Sequence, residues 1–506
     1  MSLQAETEKF EHAEIEDVIS DDEKAIVDNP ELAAAIKKFE NKKAYRRLLL
    51  KIDLNIVPAC TLLYFLSFLD RGNIGNAKIA GMNQDLGLSD HEYSVALTVF
   101  FATYCTFEAP ANVVLKILGP KIWLPMIAVC WGAVVLGMGF ATNYHQLLAL
   151  RIMLGFFESA TFSGFSYYTS NWYRGHELSS RVAFFFSAAT IAGAFSGILA
   201  WAIMKLDGTH GIAGWAWIFI IEGALTIGVG LITYFMIHNT PESAGFMKPD
   251  EKLFWRHHLQ LDHGKGDTEE DNSGFTWPHI KEGALNWRVW AFVLVGWGVT
   301  VPLYSFSFFL PTIITHLGWE NSTAQLMSAP PYIWACVVTF FNSYLSDKYR
   351  KRYEFVVGPL MTFGVIGFVI SMATTNLKVM YFGCFLATAG QYSPWPNTVS
   401  WNANQYPNAQ TRAIAVGIQI GMSSAGGVIS SYIFRPQDAP RYLLGKGVCI
   451  GAIVLGSLVA TFMRFYLKRQ NDKKKQYLEE HPEIQDRDPK EFTSLGTKNP
   501  FFNYQL

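Results

Sequence analysis

The sequence predicts an all-α membrane protein with twelve transmembrane helices in two six-helix bundles. Half of its 506 residues are hydrophobic and only 16% are charged, whereas soluble domains carry about 25% charged residues. The charges are concentrated at the two ends and in one central segment. Between them lie stretches long enough to cross a hydrocarbon core of ~30 Å, which takes about 20 residues of helix. The net charge of −1 gives no indication of a nucleic-acid partner.

The predicted spans fall into two groups. Seven contain no Asp, Glu, Lys or Arg, and they lie at residues 122–150, 182–204, 289–319, 321–346, 355–377, 379–411 and 413–434. Five more are apolar but carry charge inside or at one edge, and they lie near residues 52–78, 92–116, 146–170, 215–237 and 442–467. The spans lack the alternation over about ten residues that marks transmembrane β-strands. All six cysteines fall inside them, so we expect no disulfide framework.

Basic residues indicate that both chain ends lie in the cytosol. Lysine and arginine crowd at residues 37–51, before the first span, and again at 468–475, after the last. A third cluster stands at 348–352, between the eighth and ninth spans. Positive charge marks cytosolic loops, and an even number of helices places all three clusters on one side. We therefore expect a multi-pass membrane protein with both termini cytosolic, and the plasma membrane is its expected location.

A long polar connector divides the spans into two halves. We expect a cytosolic tail at residues 1–50, a first bundle at 51–238, a cytosolic connector at 239–286, a second bundle at 287–467 and a cytosolic tail at 468–506. Residues 1–31 hold eleven acidic side chains against two lysines, a composition typical of disorder. Residues 32–51 are either a basic amphipathic helix at the inner leaflet or part of a solvated tail.

Charged residues inside the predicted spans are the first candidates for function, because each costs about 2.5–3.5 kcal/mol to insert. Six of them lie in the first half, namely Asp70, Arg71, Glu108, Arg151, Glu158 and Glu222, and helices seven to eleven have no comparable mid-membrane charge. The second half offers amides and aromatic rings instead, including Tyr304, Tyr332, Trp334, Gln391, Tyr392, Trp395, Asn397 and Gln419. This division predicts charge chemistry on the first half and shape selection on the second.

Four of these charges are expected to face one cavity. Arg151 and Glu158 are seven residues apart, so they share one helix face at a separation of about 10 Å. Asp70 and Arg71 lie towards the outer end of the first span. Arginine binds carboxylates through two parallel hydrogen bonds, and a carboxylate held away from water exchanges a proton near neutral pH. The set suits proton-coupled movement of an organic anion, and the alternative is a structural ion-pair network that locks helices one and four.

Two short motifs carry a resemblance to a known family. Residues 69–77, Leu-Asp-Arg-Gly-Asn-Ile-Gly-Asn-Ala, resemble the first-helix signature of the anion:cation symporter family within the major facilitator superfamily. Residues 151–158, Arg-Ile-Met-Leu-Gly-Phe-Phe-Glu, resemble its fourth-helix motif. The fungal allantoate permease group, which includes nicotinate, pantothenate and biotin permeases, is similar in further segments, at residues 107–112, 214–223, 239–242 and 346–348.

The resemblance implies the major facilitator fold and proton-driven import of a small organic anion. It assigns proton coupling to Asp70 and Glu158, and the substrate carboxylate to Arg71 and Arg151. It also makes Asn397 a candidate for substrate contact.

A break in helix ten suggests further substrate contacts. Pro394 and Pro396 flank Trp395, and each proline removes a backbone hydrogen bond, which is tolerated in a membrane where the backbone lines a cavity. We therefore add Gln391, Tyr392 and Trp395 as substrate contacts, with an aromatic ring in the substrate as one reading and plain interhelical packing as the other.

The loop between helices two and three departs from the superfamily pattern. That pattern places an Asp in a Gly-x-x-x-Asp-Arg run, whereas residues 116–121 read Lys-Ile-Leu-Gly-Pro-Lys. We assign gating to Glu108 and Lys116 in the first half, and to Asp347 and Arg350 in the second.

One weaker signal lies in an outside loop. Asn321 begins an Asn-Ser-Thr run, which is either a glycosylation acceptor or the cap of helix eight.

Three functions remain open at this stage. The first is import of an organic monocarboxylate such as nicotinate or pantothenate with protons, by a monomer embedded in the lipid bilayer. The second is export of a fungal secondary metabolite on the same fold, because fold does not set direction. The third is a non-transporting nutrient sensor. The sequence has no phosphate-binding glycine loop, metal-spaced cluster or catalytic constellation, so we expect neither an ATP-driven pump nor an enzyme, and no cofactor.

Overall fold

The computed structural model describes residues 30–270, 281, 283–407, 409–485, 496–497 and 499–506. All regular elements within these ranges are helices. The acidic segment predicted to be disordered lies almost entirely outside them, since the description begins at Pro30.

The first half is built from eight longer α-helices, with a one-turn helix at Met82–Asp85 between the second and the third. They are α1 (Pro30–Phe39), α2 (Lys42–Ile79), α3 (Asp90–Leu118), α4 (Pro120–Met138), α5 (Tyr144–Glu158), α6 (Thr161–Ser170), α7 (Gly175–Ile203) and α8 (Gly214–Met236). Helices α5 and α6 together form the fourth span.

The connector and the second half follow. They comprise α9 (Pro249–Glu270) in the connector, then α10 (Trp287–His316), α11 (Asn321–Tyr349), α12 (Tyr353–Pro359), α13 (Ile366–Ala373), α14 (Leu377–Tyr392), α15 (Trp395–Ala403), α16 (Ala409–Ser424), α17 (Gly426–Ile433) and α18 (Leu443–Glu480). A π-helical turn at Leu360–Val365 joins α12 to α13.

The predicted fold class is confirmed. In the described ranges, ten helical segments are long and apolar enough to cross a membrane. The other two predicted spans are also helical: α3 runs for 29 residues, and the tenth span is divided into the 16 residues of α14 and the 9 residues of α15. The break falls at Ser393 and Pro394, where the sequence predicted it. The result is the twelve-helix arrangement of two six-helix bundles.

Local sequence signals set several helix ends. Ser89 and Glu92 form a reciprocal capping box at the start of α3, which satisfies backbone N–H groups that have no partner within the helix. Gly119 separates α3 from α4 with a φ of 78°, and Pro120 is the first residue of α4. Proline suits that position because its missing N–H would have no partner there in any case.

The first and last helices are longer than the sequence predicted. Helix α2 begins at Lys42 rather than near residue 51, and α18 continues to Glu480 rather than stopping near 467. We call the end of the molecule at which α2 begins and α18 leaves the tail side, and the opposite end the far side.

The predicted basic helix at 32–51 is two helices, α1 and the start of α2. Its basic residues contact the connector: Lys38 is bonded to Asp250, and Lys51 Nζ lies 2.6 Å from Glu251 Oε2. The hydrogen bond from Lys38 holds the pKa of Asp250 below its usual value. These two lysines are therefore paired with acidic residues of α9.

Close helix packing in the first bundle depends on glycine. A Cβ atom on Gly223 of α8 would lie 2.3 Å from the backbone nitrogen of Leu136 on α4. Gly228 lies on the same helix, and a Cβ atom there would meet nothing within 4 Å. The two glycines thus form a matched pair in which only one sets an interhelical distance.

We expect Gly223→Ala to lower the thermal stability of the purified protein in detergent, because overpacking costs about 1–3 kcal/mol. Gly228→Ala should leave stability unchanged or slightly raised, since alanine favours a helix interior by roughly 0.5–1 kcal/mol over glycine. Thermal unfolding followed by fluorescence measures both. Equal melting temperatures for the two variants would contradict the close α4–α8 contact.

The two bundles touch each other towards the far side. A Cβ atom on Gly75 of α2 would lie 2.5 Å from the carbonyl oxygen of Phe308 on α10. Gln325 Nε2 donates to the carbonyl oxygen of Asn76 at 3.3 Å. These contacts lie near the end of α2 and the start of α11, so the far side of the molecule is closed.

Candidate functional site

An ion pair between the first and fourth spans forms the centre of the candidate site. Arg71 Nε on α2 donates to Glu158 Oε2 on α5 at 2.8 Å, and both residues are buried. Ser67 Oγ donates to the same oxygen at 3.1 Å, because it lies four residues before Arg71 on the same helix face. The other oxygen, Glu158 Oε1, has no hydrogen-bond partner among the described residues. It is therefore free to take a proton.

Asp70 faces a different helix from Arg71. Thr226 Oγ1 on α8 donates to Asp70 Oδ2 at 3.4 Å, and Asn73, one turn further along α2, is bonded to Glu222 on the same α8. Adjacent residues point about 100° apart on a helix of 3.6 residues per turn. The expectation that Asp70 and Arg71 share one cavity therefore gives way to two acidic positions, one between α2 and α5 and one between α2 and α8.

Arg151 packs against an aromatic ring. Its guanidinium group is 5.5 Å from the ring centre of Phe100, and it is 1% exposed. Within the described ranges, its Nε and Nη1 atoms have no hydrogen-bond partner, and it takes part in none of the ion pairs found there. The predicted four-residue ion-pair network is thus reduced to the single pair Arg71–Glu158.

A cavity between the two bundles opens onto Arg71. The guanidinium group lies 4.8 Å from the ring centre of Tyr104 and 5.1 Å from that of Phe68. The described lining consists of Tyr64, Phe68, Arg71, Tyr104, Phe162, Thr300, Leu303, Tyr304, Trp395, Ile420 and Ser424. Arg71 is the one charged residue in that set, so the cavity presents a single cation in an aromatic and hydroxyl surround.

The residues of helix ten that were predicted to contact substrate do not share one cavity. Trp395 lines the Arg71 cavity. Tyr392 lines a neighbouring cavity that shares Phe68, and its hydroxyl lies 3.0 Å from Ser307 Oγ. Gln391 is fully buried and neither of its amide atoms has a partner among the described residues.

Asn397 lies apart from both cavities. Its Oδ1 atom accepts from Arg352 Nη1 at 3.3 Å, and it lines neither cavity. Its predicted contact with substrate therefore has no geometric support in this conformation. Asn397 instead binds Arg352 on the tail side.

Glu108, predicted as a gate, lies at the boundary between the bundles. It is 6% exposed, and neither carboxylate oxygen has a partner in the described part of the chain. A Cβ atom on Gly421 of α16 would lie 2.3 Å from Glu108 Oε2, so the carboxylate rests directly against the backbone of the second bundle. Lys116 is exposed in the last turn of α3, two turns further along the same helix.

Asp347, predicted as a gate residue in the second half, forms an ion pair with Arg352. Asp347 Oδ1 pairs with Arg352 Nη1 at 2.6 Å. Arg350 ends α11 with a φ of 52°, and this left-handed turn brings Arg352 back towards Asp347.

Residue Asn321 is the first residue of α11, and Glu320 occupies the cap position. The reading of Asn321 as the helix cap is therefore wrong. Glycosylation there stays a prediction.

Several residues at the site were missed from sequence. Ser67 could have been found from its spacing of four before Arg71. Tyr104 and Thr226 belong to other helices, and no spacing along the chain indicates that they meet Arg71 and Asp70.

Comparisons with known proteins agree with this architecture. The family model described as Major Facilitator Superfamily matches residues 60–431. The chain is 34% identical over 472 residues to the MFS-type transporter cnsO of Penicillium expansum, covering 91% of this chain and 90% of that protein. It is 32% identical over 459 residues to the high-affinity nicotinic acid transporter of Saccharomyces cerevisiae, covering 91% and 84%.

Solved structures show the same fold at low identity. A bacterial homologue of the human lysosomal transporter Spinster, in an inward-facing and unoccupied conformation, has a TM-score of 0.63 at 17% identity and covers 81% of this chain and 96% of that one. A D-xylose–proton symporter has a TM-score of 0.58 at 16% identity, with coverages of 81% and 97%. From the family match and the extent of the relatives, the chain belongs to the major facilitator superfamily of transporters.

Proposed function

We propose that the protein imports a small organic monocarboxylate together with protons. The observation that carries the proposal is the buried Arg71, which lines an aromatic cavity between the bundles and is held by Glu158. The similarity to a protein named a high-affinity nicotinic acid transporter supports a carboxylate as the substrate. The fungal allantoate permease group is the part of the superfamily that fits this assignment.

Competition for one guanidinium group couples the proton to the substrate. An entering carboxylate needs the hydrogen-bond donors of Arg71, one of which Glu158 occupies. A proton on Glu158 neutralises that side chain and weakens its hold on Arg71, because charge-assisted hydrogen bonds are roughly twice as strong as neutral ones. The substrate anion then replaces the lost negative charge, so the charge of the site is the same before and after binding. Each ligand therefore favours the other.

Asp70 provides a second position for a proton. Its Oδ1 atom has no hydrogen-bond partner among the described residues, and the same holds for Glu222 Oε1 on the facing helix. Two buried acidic groups on one helix interface are costly when both are ionised, so a proton shared at this interface stabilises the pairing of α2 with α8.

The conformation fits a state that releases substrate to the cytosol. The bundles meet on the far side, and the basic clusters predict that the tail side faces the cytosol. Rocking of one bundle against the other about the central site would exchange this state for one open to the outside. The plasma membrane is the location that suits import.

Uptake of radiolabelled nicotinate by cells that express the protein tests the proposal. We expect uptake to increase when the outside is acidic and to fall to background when a protonophore collapses the gradient. Unlabelled nicotinate and pantothenate should be tested as competitors, with nicotinamide as the control that lacks the carboxylate. Inhibition by nicotinamide as strong as that by nicotinate would contradict the role of Arg71.

Two further outcomes would favour the other functions. Absence of uptake, together with improved tolerance of an acid generated inside the cell, would indicate export. Absence of flux in both directions would indicate a sensor.

A further inference from the structure

A second cavity lies beside the Arg71 cavity and shares Phe68 with it. Both bundles contribute to its described lining, with α2 and α7 on one side and α10, α11 and α14 on the other. Phe68, Gly72 and Asn76 line it from α2, and their spacing of four residues places them on one face of that helix. This cavity therefore continues from the Arg71 cavity along α2, and we call it the Asn76 cavity.

The two cavities together suit a ligand with two separate polar ends. Asn76 lies beyond Arg71 by about 7.5 Å along the axis of α2, at a rise of 1.5 Å per residue. Phe68 lines both cavities, and its ring centre is 5.1 Å from the Arg71 guanidinium group. A ligand whose carboxylate is bound to Arg71 would therefore pass the Phe68 ring to reach Asn76. A substituted aromatic ring or a short amide-linked chain covers this distance.

The described lining of the Asn76 cavity contains no charged side chain. Five of its residues carry a hydroxyl group instead, namely Ser196, Ser307, Ser328, Tyr332 and Tyr392. Asn76 adds an amide group. An ionised group that is buried away from water needs a partner of opposite charge, and this lining offers none to a second carboxylate or to an ammonium group. The cavity therefore favours a neutral polar group.

Most of the hydroxyl hydrogens around this cavity are already donated within the protein. Ser307 Oγ donates to the carbonyl oxygen of Leu303 at 3.0 Å, and Ser328 Oγ donates to that of Gln325 at 2.6 Å. The Tyr392 hydroxyl lies 3.0 Å from Ser307 Oγ, and it is the donor of that pair because the serine hydrogen is in use. A hydroxyl group has one hydrogen and two lone pairs, so these three groups can only accept from a ligand.

Asn76 offers a further acceptor. Its Nδ2 atom donates to Ser196 Oγ at 2.8 Å, and Ser196 Oγ donates in turn to Asn73 Oδ1 at 3.3 Å. Among the described residues Asn76 Oδ1 has no hydrogen-bond partner, although Asn76 is only 2% exposed. Tyr332 can donate or accept, so acceptors outnumber donors in the lining. Since a buried acceptor without a partner is costly, a ligand that supplies a hydrogen there is favoured.

We propose that the Asn76 cavity binds the end of the substrate remote from its carboxylate and selects for a hydrogen-bond donor there. The substrate class is then a monocarboxylate with a hydroxyl or amide N–H group at its other end. The proposal rests on the proposed binding of a carboxylate by Arg71 and adds the chemistry of the remote end. Pantothenate, with its hydroxyl and amide groups, belongs to this class. Nicotinate has no hydrogen-bond donor and fills only the Arg71 cavity.

Binding of matched acids to the purified full-length protein tests the proposal, with Kd measured by isothermal titration calorimetry. The acids para-hydroxyphenylpropionate and phenylpropionate differ by one hydroxyl group at the end remote from the carboxylate. We expect the hydroxylated acid to bind about fivefold more tightly, which is the effect of one additional hydrogen bond in a buried site. The acid para-carboxyphenylpropionate, which has a second carboxylate at the same position, should bind most weakly of the three.

Variants that remove acceptors from the cavity should abolish this preference. Asn76→Leu replaces the amide with an apolar group of similar size, and Ser328→Ala removes one hydroxyl group. We expect each to lower the ratio of the two Kd values, and the double variant to bring it close to one. Asn55→Leu is the control on the same helix, because Asn55 Nδ2 donates to a backbone carbonyl away from both cavities. Ser170→Ala is the control for Ser328→Ala, since Ser170 Oγ also donates to the backbone within its own helix.

The outcomes separate this proposal from the proposed function. Equal affinity of the wild type for the hydroxylated and plain acids would overturn it, as would an unchanged ratio in the double variant or absence of binding by all three acids. If the double variant does not fold, Ser328→Ala alone decides the result. Failure of the proposed function gives a different pattern, in which cells show no proton-driven uptake while the Kd ratio and its response to the variants remain.

Discussion

Replacing Glu158 with glutamine should leave exchange of substrate across the membrane intact and remove its dependence on the proton gradient. Glutamine still offers an oxygen to Arg71 Nε and Ser67 Oγ, which lie 2.8 and 3.1 Å from Glu158 Oε2. It cannot gain or lose a proton. Since one coupled proton supports about tenfold accumulation per unit of pH difference, concentrative uptake should lose that factor while counterflow continues. Uptake and counterflow of labelled nicotinate at several external pH values measure the two quantities separately.

Glu354→Gln is the control for this variant. Glu354 also forms an ion pair, at 2.8 Å with Arg464 Nη2, but it is partly exposed and lies outside the cavity. We expect its uptake to respond to pH as the wild type does. If Glu158→Gln also keeps the wild-type response, Glu158 has no part in proton coupling, and Asp70 becomes the stronger candidate.

Replacing Arg71 with lysine should weaken substrate affinity severely. In the described structure Arg71 uses Nε for Glu158, which leaves the two terminal amino groups of its planar fork for the substrate carboxylate. Lysine offers one ammonium group and loses this two-point geometry. Hydrogen bonds to charged groups contribute about 1.5–3 kcal/mol each, so we expect KM for nicotinate to rise by about tenfold or more. Arg464→Lys, outside the cavity, controls for the loss of an arginine elsewhere.

Arg151→Lys provides the comparison that separates the two arginines. The fourth-helix motif predicts a comparable loss of carboxylate affinity there. The structure places Arg151 against Phe100 and outside the cavity lining, so we expect the larger rise in KM from Arg71→Lys. A larger effect from Arg151→Lys would indicate that Arg151, not Arg71, is the main contact of the substrate carboxylate. Wild-type affinity in both variants would favour the structural ion-pair interpretation.

The sequence was sufficient to predict the fold because the membrane allows few backbone structures. Uncharged stretches such as 289–319 and 355–377 are too long and too apolar for other roles, and in lipid a helix satisfies all of its backbone hydrogen bonds. The pairing of helices one and four through Arg71 and Glu158 was also within reach, because both charges had to find partners away from water.

The orientation of individual side chains could not be predicted from the sequence. Asp70 meets Thr226 because α2 and α8 pack at a particular rotation, which also brings Asn73 to Glu222. The ion pair between Asp347 and Arg352 follows a left-handed residue, Arg350, at the end of α11. Both outcomes are set by tertiary packing and turn geometry, which short spacing along the chain does not encode.

The distribution of contacts between and within the bundles has a consequence for the transport cycle. Arg71 and Glu158 belong to the same bundle, so rigid rocking carries both partners together and leaves their ion pair intact. Only protonation of Glu158, or an anion that competes for Arg71, can separate them. Glu108 and Gly421 belong to opposite bundles, so the same motion changes the distance between them. An empty, unprotonated site can therefore change sides while Arg71 stays paired with Glu158.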